Sequence, residues 1–582
     1  MPLSADTIAV ALQHQRDGRL TKAEQVYRQI LQQQPNSIDA LNLLGALVYQ
    51  QGKVAEAVTC FGRVLALQPE NPDAFNSLGI ALKGQGKVAE AVEHYRQALS
   101  LNPRHAQAHN NLGNALKELG DLDDAIVAYR HAIDLLPSYP EAHHNLGVAL
   151  KDRGEWDAAA DHYREAVRLK PSYADAHHHL GIVLQRQGKP EDAIAHYQQA
   201  IALKPAPDIY NSWGGALQQQ GKFDEAIEQH RQAIALKPEF AEAHHGLGNA
   251  LQQQGKFDEA IAHYQQALTL RPDYAEVCNN LGNALQAQGK TDAAIAQYQR
   301  ALELRPNFAE PHSNLGSVLK EQRQFSDAIA HYQQALAIEP NYAAVHNNLG
   351  NVYQDMGEIE TAIDCYRRAL VLQPDSAEIH SNLGNMLQQL GQFDSAFEHF
   401  QQAIDLQPDY AGVYNNLGIA LRNHGQIEES IAAYEQAINL APDFIEAQWN
   451  KALTQLLMGK LAEGFAGYES RFQWNRYKQQ NARRSYSQPR WDGSAIAGKT
   501  IFLYAEQGLG DTLQFIRYAA LLAQQGAHVI VECQAALIPL LQAVPDIEQW
   551  IPHGSSPPAF DVHAPLMSLP HLFGTTIDTI PA

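Results

Sequence analysis

The sequence predicts a mainly α-helical solenoid followed by a small, partial α/β domain. Three observations lead to this prediction. A Leu-Gly pair recurs about every 34 residues, a proline recurs with the same period, and after Phe472 the helical pattern gives way to short apolar runs typical of strands. A fixed period of this length indicates stacked helix–turn–helix repeats, which together bury a continuous core that no single repeat can form.

Two glycines and one proline mark each repeat. The glycine of the Leu-Gly pair lets two helices approach closely, because no Cβ lies between them. A second glycine, replaced once by Arg323, supplies the positive φ that ends the first helix. The proline cannot continue the second helix and sets the turn into the next repeat. The first glycine stands at Gly45, Gly79, Gly113, Gly147, Gly181, Gly214, Gly248, Gly282, Gly316, Gly350, Gly384 and Gly418.

The second helix carries an alanine and, four residues later, an aromatic residue on the same face, as at Ala125 and Tyr129. Leu-Gly, Gly, Ala-x-x-x-Tyr/Phe and Pro together resemble the tetratricopeptide repeat. The resemblance covers residues 4–478 in about fourteen repeats and implies a right-handed superhelix. Ala11 and Ala452 replace the expected glycine in the first and last repeats, which is typical of repeats that cap a stack.

Composition narrows the classes of partner. The 582 residues carry a formal net charge of -21, and no Lys/Arg-rich run occurs. This balance excludes nucleic acid and anionic membrane surfaces as expected partners. The four cysteines form no Cys-x-x-Cys pair, and neither a signal peptide nor an apolar membrane-spanning run is found. We therefore expect a cytoplasmic protein with no membrane span and no cofactor.

An asparagine stands two residues before the Leu-Gly glycine in seven repeats and two residues before Ala452 in the last, and we call these eight the ladder asparagines. They are Asn111, Asn145, Asn280, Asn314, Asn348, Asn382, Asn416 and Asn450. A second asparagine often follows the glycine, three residues further along the same helical face, as at Asn114. The row is interrupted at Leu43, Ser77, His179, Ser212 and Gly246, so the two halves of the array are expected to bind differently.

An asparagine side chain both donates and accepts, so such a row can pair with the backbone of an extended peptide whatever its sequence. This repeat sequence resembles the repeat region of O-linked N-acetylglucosamine transferases, whose superhelix holds peptide substrates on an asparagine ladder. The resemblance implies that the first helices line a concave groove that binds proteins or extended peptides. The alternative is that these asparagines are solvated groove residues or local caps.

Histidine is abundant, with 26 residues, and His143–His144 and His177–His179 stand out. Consecutive helical residues point about 100° apart, so one helix cannot present three adjacent histidines to one metal ion. His144 and His178 could approach each other across neighbouring repeats. Because histidine recurs at these places, as at His245, we expect surface histidines on a polar helix and no metal site.

The C-terminal pattern changes from helix to strand. We expect a linker at 479–498, which includes Arg483, Arg484 and Trp491, and then an α/β domain at 499–582. Strands are predicted at 500–505, 528–533 and 560–564, with a tight loop at 506–511 and a helix at 512–525. Strand, glycine-rich loop, helix and strand form a βαβ unit, which indicates a parallel sheet of Rossmann type.

The loop contains Gly508, Leu509, Gly510 and Asp511, and Leu513 replaces the third glycine of the dinucleotide fingerprint. Gly508 and Gly510 at a helix N-terminus can still hold an anion. Residues 488–582 resemble the N-terminal half of heptosyltransferase-like glycosyltransferases. The resemblance implies that Asp511 is a general base that deprotonates an acceptor hydroxyl; the alternative is an N-cap for the helix predicted from Thr512.

The leading hypothesis is a protein- or peptide-binding scaffold with an incomplete glycosyltransferase-like domain. The alternative is a protein glycosyltransferase whose repeats select polypeptide acceptors. Heptosyltransferase-like glycosyltransferases place the nucleotide-sugar site largely in a second Rossmann domain. The sequence ends at Ala582 without one. We therefore expect this segment to be a fragment or a degenerate cap. It should bind a nucleotide sugar only if the missing domain is supplied, and the chain alone should transfer no sugar.

Overall fold

The structure is a computed structural model that describes residues 5–474, 477 and 486–581. The first part of the expected linker, 479–485 with Arg483 and Arg484, lies outside the described residues. The chain divides into two compact units, an N-terminal unit, Met1–Pro306, and a C-terminal unit, Asn307–Ala582. Each unit is described by itself below.

The N-terminal unit consists of helices in pairs, a first and a second helix per repeat. Each helix has 12 to 14 residues, which is long enough to bury one face against its neighbours. They are α1 Ala5–Arg16, α2 Leu20–Gln33, α3 Ile38–Gln50, α4 Val54–Leu67, α5 Pro72–Gly84, α6 Val88–Leu101, α7 Ala106–Leu119, α8 Leu122–Leu135, α9 Pro140–Asp152, α10 Trp156–Leu169, α11 Ala174–Arg186, α12 Pro190–Leu203, α13 Pro207–Gln219, α14 Phe223–Leu236, α15 Ala241–Gln253, α16 Phe257–Leu270, α17 Ala275–Ala287 and α18 Thr291–Leu304.

The C-terminal unit begins with the same pairing of helices and continues into a small α/β domain. Its repeat helices are α19 Ala309–Glu321, α20 Phe325–Ile338, α21 Ala343–Met356, α22 Ile359–Leu372, α23 Ala377–Gln389, α24 Phe393–Leu406, α25 Ala411–His424, α26 Ile427–Leu440, α27 Ile445–Leu457 and α28 Leu461–Tyr468. A 3₁₀ turn at Glu469–Gln473 follows α28. The prediction of a mainly helical solenoid is confirmed.

The contact between a glycine and an aromatic ring sets the spacing of the two helices in a repeat. A methyl group at Gly79 would lie 2.6 Å from the Tyr95 ring, and one at Gly282 would lie 2.5 Å from the Tyr298 ring. Both tyrosines are buried. The first glycine therefore admits the ring of the second helix, as its sequence spacing indicates.

The first helices of neighbouring repeats also contact one another. These contacts run from α3 to α17 in the N-terminal unit and join α19 to α21, α23 to α25 and α25 to α27 in the C-terminal unit. Among the residues that the structure describes, successive second helices have no contact of that extent. Within each unit the first helices are thus the more closely spaced row and form its inner face.

The second glycine has a positive φ, for example 78° at Gly52, which is the backbone geometry that ends a helix. Arg323 occupies the same place with a φ of 60°. A residue with a Cβ in this region is strained, so Arg323 keeps the turn of the repeat at some cost in conformational energy.

The C-terminal α/β domain has one parallel sheet of four strands in the order β3-β2-β1-β4. The strands are β1 Thr500–Tyr504, β2 His528–Cys533, β3 Gln549–Pro552 and β4 Val562–Pro565. The first two agree with the prediction, β4 is displaced by one to two residues, and β3 was not predicted. A Rossmann-type domain remains a hypothesis, since four strands fit other α/β arrangements as well.

Short helices connect these strands. They are α29 Leu509–Phe515, α30 Arg517–Gln524, α31 Ile538–Leu541 and α32 Leu569–Leu572. The predicted helix at 512–525 was wrong in its start and its continuity, because the chain turns helical at Leu509 and bends at Ile516. Among all described helices, none combines the length and the apolar character needed to cross a membrane.

Replacing Gly79 with Ala tests the glycine–ring contact. The added methyl group has no room beside Tyr95, so we expect the free energy of unfolding to fall by about 1–3 kcal/mol, the usual effect of overpacking. Urea denaturation followed by circular dichroism measures it.

Gly62→Ala is the matched control, because a Cβ at this helical glycine in α4 meets nothing within 4 Å. It should leave stability unchanged or raise it by up to about 1 kcal/mol through helix propensity. Equal stability of the two variants would contradict the proposed role of the contact.

Candidate functional site

The ladder asparagines all lie in first helices, on the inner face of the two units. All eight are half-buried, and in six of these repeats the Leu-Gly pair that follows is buried. The structure therefore places the sequence-predicted residues in one repeated environment within each unit. They are polar groups that both solvent and a bound chain could reach in part.

In six of the ladder asparagines the amide nitrogen donates to a side chain of the preceding repeat. Nδ2 of Asn111 donates to Asn76 Oδ1 at 3.0 Å, and Nδ2 of Asn145 donates to Asn110 Oδ1 at 3.0 Å. The same bond, across 35 residues, joins Asn382 to Asn347 (3.2 Å), Asn416 to Ser381 (3.3 Å) and Asn450 to Asn415 (3.0 Å). These hydrogen bonds between neighbouring first helices stabilise the stack. Sequence analysis did not anticipate them, although the 35-residue spacing of polar residues is the signal.

The second asparagine of the motif is bound to a tyrosine of the second helix. Tyr129 donates its hydroxyl hydrogen to Asn114 Oδ1 at 2.8 Å, fifteen residues away. The same bond recurs for Tyr264 with Asn249 (2.8 Å), Tyr298 with Asn283 (2.8 Å) and Tyr366 with Asn351 (2.7 Å). The ring that fills the space beside the glycine thus also fixes an amide on the inner face.

The expectation that the histidines lie on a polar surface was wrong. His143, His144, His177 and His178 are buried. His143 Nε2 donates to the Pro137 carbonyl at 3.1 Å, so its Nδ1 accepts the Nδ1–H of His162, also at 3.1 Å. Four further pairs, all nineteen residues apart, repeat this Nδ1 contact: His177–His196, His244–His263, His312–His331 and His380–His399.

The inner-face histidines are held neutral by burial. Burial lowers the pKa of His144, which also faces His179, to about 4, and it lowers the pKa of His178 to about 4. His230, which takes the place of the usual tyrosine, has its pKa lowered to about 4 mainly by burial. No group of three His, Cys, Asp or Glu side chains within the described residues is arranged to hold a metal ion.

In the C-terminal domain, Asp511 lies in the first turn of α29 and not before it. Its Oδ2 accepts the N–H of Gly508 at 3.1 Å, and Gly508 is the N-cap residue. The N-cap alternative was wrong in position, because the helix starts at Leu509, but the carboxylate still binds a backbone group of the cap. Gly510 is exposed within the same turn. Asp511 itself is half-buried.

The most buried polar cluster of the domain was missed by sequence analysis. Arg471 is only 1% exposed, and its Nη2 donates to Glu506 Oε2 at 2.9 Å and to Ser568 Oγ at 2.7 Å. Its Nη1 donates to Glu469 Oε1 at 2.6 Å. The hydroxyl of Tyr477 also binds Glu506. Burial raises the pKa of Glu506, whereas Arg471 opposes that effect.

Comparisons with known proteins concern the repeats. Models described as tetratricopeptide repeats match residues 45–86, 282–322, 316–357, 341–409, 375–443 and 415–473. A model described as the cilia and flagella-associated protein 70 C-terminal domain matches residues 71–280. A search of curated proteins found no match. These matches do not extend past residue 473, and the glycosyltransferase resemblances gain no support from them.

Among solved structures, the chain is similar to the APC/C hetero-tetramer Cut9-Hcn1, with 16% identity, a TM-score of 0.42, and coverage of 72% of this chain and 96% of that one. It is also similar to yeast Tom70, with 17% identity, a TM-score of 0.37, and coverage of 67% and 96%. YrrB, described as a TPR protein with an unusual peptide-binding site, has 24% identity, a TM-score of 0.30, and coverage of 34% and 99%. The family assignment rests on the repeat models.

The buried histidines predict a loss of stability in acid. An unfolded histidine has a pKa of about 6.5, so between about pH 6.5 and about pH 4 the unfolded chain binds protons that the folded chain does not. Stability is therefore complete above about pH 6.5 and falls as the pH is lowered. Urea midpoints measured from pH 7.5 to pH 4.5 should show this slope.

The variant His144→Asn, His178→Asn, His230→Asn removes three of the groups responsible. Its urea midpoint should change less between pH 6.5 and pH 4.5 than that of the unmodified chain, whatever its stability at pH 7.5. An unchanged slope would show that these side chains are not the source of the acid sensitivity.

Proposed function

Since the chain is a tetratricopeptide-repeat protein, we propose that it is a scaffold that binds proteins or extended peptides along the inner face of its first helices. The observation that carries the proposal is the row of ladder asparagines. Polar amides recur at one place in successive first helices, half-buried and on the more closely spaced side of the stack. These amides recur with the period of the stack. A ligand with a repeating backbone, such as a polypeptide, can therefore bind to them one after another.

The hydrogen bonds around the ladder asparagines support this proposal, because they hold the amides in fixed positions. Six of the ladder amides are held by a bond to the preceding repeat. Four neighbouring amides are held by a tyrosine. Groups that are already ordered lose little conformational entropy when a ligand binds. A peptide that adopts an extended form would meet acceptors in fixed positions.

The proposal also assigns a role to each of the three segments of the chain. We take residues 4–478 as the binding array, 479–498 as the linker and 499–582 as the α/β domain. Trp491 is 4% exposed and packs against Phe573 with ring centroids 5.8 Å apart, so the described part of the linker is anchored to the sheet domain.

A protein glycosyltransferase is the second candidate function, and one observation favours it. Asp511, Gly508 and Gly510 follow the carboxyl end of β1, the edge of a parallel sheet where ligands usually bind. The hydrogen bond from Gly508 to Asp511 supports a capping role for that carboxylate instead. Incubation with labelled nucleotide sugars and a cell lysate would decide, and only incorporation that is lost in Asp511→Ala would favour the enzyme.

The scaffold proposal predicts that the ladder amides are needed for capture of peptides. Replacing Asn314, Asn348, Asn382 and Asn416 with Ala should weaken selection of extended peptides from a displayed random library at least tenfold, because the fixed amides are lost. Binding is compared at a temperature where circular dichroism shows both proteins folded, since the inter-repeat bonds also contribute to stability.

A control variant changes four exposed glutamines of second helices in the same unit: Gln333→Ala, Gln334→Ala, Gln402→Ala and Gln436→Ala. It removes as many side-chain amides from the opposite side of the repeats. It should select the same peptides as the unmodified chain. If both variants or neither lose binding, the inner face is not the binding surface.

A further inference from the structure

The direction of the ladder amides is fixed by a carboxylate in the C-terminal unit. Glu378 Oε1 accepts the Nδ2–H of Asn347 at 3.1 Å. A carboxylate only accepts, so the amide nitrogen of Asn347 must face Glu378 and its Oδ1 must face Asn382. Asn382 then has to donate, through Nδ2, to Asn347 Oδ1 at 3.2 Å.

Both N–H groups of Asn382 are thereby used within the protein. Asn382 Nδ2 also lies 3.4 Å from Asn351 Oδ1, which in turn accepts the hydroxyl of Tyr366. Asn416 and Asn450 likewise use Nδ2 toward the preceding repeat. Each of these three residues keeps its carbonyl oxygen, with two lone pairs, for a ligand, whereas Asn416 and Asn450 keep only one N–H each. Acceptors therefore outnumber donors among these three residues.

Acidic residues at the start of the first helices differ between the two units. In the N-terminal unit four of them are paired with a basic residue 29 positions later: Glu141 with Lys170 (2.9 Å), Asp175 with Lys204 (3.9 Å), Glu276 with Arg305 (2.5 Å), and Glu242 with Arg271. At these four places the cation neutralises the acid.

In the C-terminal unit the basic partner is missing from the sequence. The residue 29 positions after Glu310 is Glu339, and the residue 29 positions after Glu378 is Gln407. Both glutamates are exposed, and neither forms an ion pair with any residue that the structure describes. Two uncompensated carboxylates therefore accompany the row of acceptor oxygens.

We propose that the inner face of the C-terminal unit binds an extended polypeptide segment that carries Lys or Arg. Its backbone N–H groups donate to the carbonyl oxygens of Asn382, Asn416 and Asn450, and its side-chain cations pair with Glu310 and Glu378. The inference rests on the proposed scaffold function and names the chemistry of its ligand. A neutral or acidic segment would leave the acceptors and carboxylates poorly matched.

The spacing of the carboxylates sets the spacing of the cations. Packed helices lie roughly 10 Å apart, and Glu310 and Glu378 belong to α19 and α23, two repeats apart. An extended chain advances roughly 3.3 Å per residue, so three residues span about one repeat and about six residues separate the two cations. A peptide with Arg at every third residue offers a cation at each required place.

Fluorescence anisotropy with labelled 15-residue peptides tests the inference on the full chain. The probes are five copies of Arg-Ser-Val, of Gln-Ser-Val and of Glu-Ser-Val. The Arg probe should bind at least fivefold more tightly than the Gln probe at 150 mM salt, and the preference should shrink at 500 mM because exposed ion pairs are screened. The Glu probe should bind most weakly.

The double variant Glu310→Gln, Glu378→Gln should weaken the Arg probe about fivefold, the effect of two exposed ion pairs, and leave the Gln probe unchanged. Glutamine at 378 keeps an oxygen for Asn347. The control Glu242→Gln, Glu276→Gln removes two carboxylates that are already paired in the N-terminal unit. It should bind the Arg probe like the unmodified chain.

A separate measurement tests the hydrogen bonds that the backbone N–H groups of the ligand donate to the ladder asparagines. Arg probes methylated on the arginine backbone nitrogens lack every third backbone donor, the spacing of one repeat, and should bind at least fivefold more weakly than unmethylated probes. Equal binding of the Arg and Gln probes, or a loss in the control variant alone, would overturn the inference while peptide binding stands. If none of the three probes binds and no library peptide is selected, the scaffold function itself fails.

Discussion

The close contact of a glycine with an aromatic ring is the constraint on which the repeats depend. The ring of Tyr129 occupies the space that a Cβ on Gly113 would need, since that Cβ would lie 2.6 Å from it. This brings the two helices of a repeat together and directs the tyrosine hydroxyl toward the inner face. There it holds Asn114, so the packing of the core determines the position of a polar surface group.

The inner face therefore serves two purposes with one set of amides. In six of the ladder asparagines Nδ2 joins neighbouring repeats, and we propose that the side-chain oxygen serves the ligand. Buried or half-buried amides are costly when left without partners, so the bonds between repeats stabilise the very groups that form the candidate surface. Binding and stability are coupled for this reason, and a loss of binding in an asparagine variant is informative only while the stack remains folded.

Much of the fold follows from local patterns in the sequence. The glycine and proline periods predicted the helices, and the apolar runs at 500–505 and 528–533 predicted β1 and β2. Strand β3, Gln549–Pro552, is short and mostly polar or partly exposed, so it lacks the alternation that identifies a strand. Arg471 gave no local signal, because its partners Glu506 and Ser568 are 35 and 97 residues away.

The position of the candidate site could be predicted from the sequence, but whether its amides donate or accept hydrogen bonds could not. The period of the asparagines puts them on one helical face, and that is a property of the sequence alone. Whether an amide donates or accepts toward a ligand depends on what its other end binds, and Glu378 decides this for Asn347 and Asn382 through space. The burial of His143 and His177 was missed for the same reason, since each lies against a histidine on another helix.

The end of the array shows how the α/β domain relates to the last repeat. Phe465 and Tyr468 of α28 belong to the same apolar core as Ile501 and Leu503 of β1, so the sheet domain covers a face that another repeat would otherwise cover. Arg471 joins the two by binding Glu469 beside α28 and Glu506 after β1. A guanidinium this deeply buried is tolerated because both carboxylates and Ser568 satisfy it, and removing any one partner would leave a buried charge uncompensated. Glu506, although it begins the glycine-rich segment, is thus committed to holding the domain on the repeats, and capping the stack is the role that these contacts support directly.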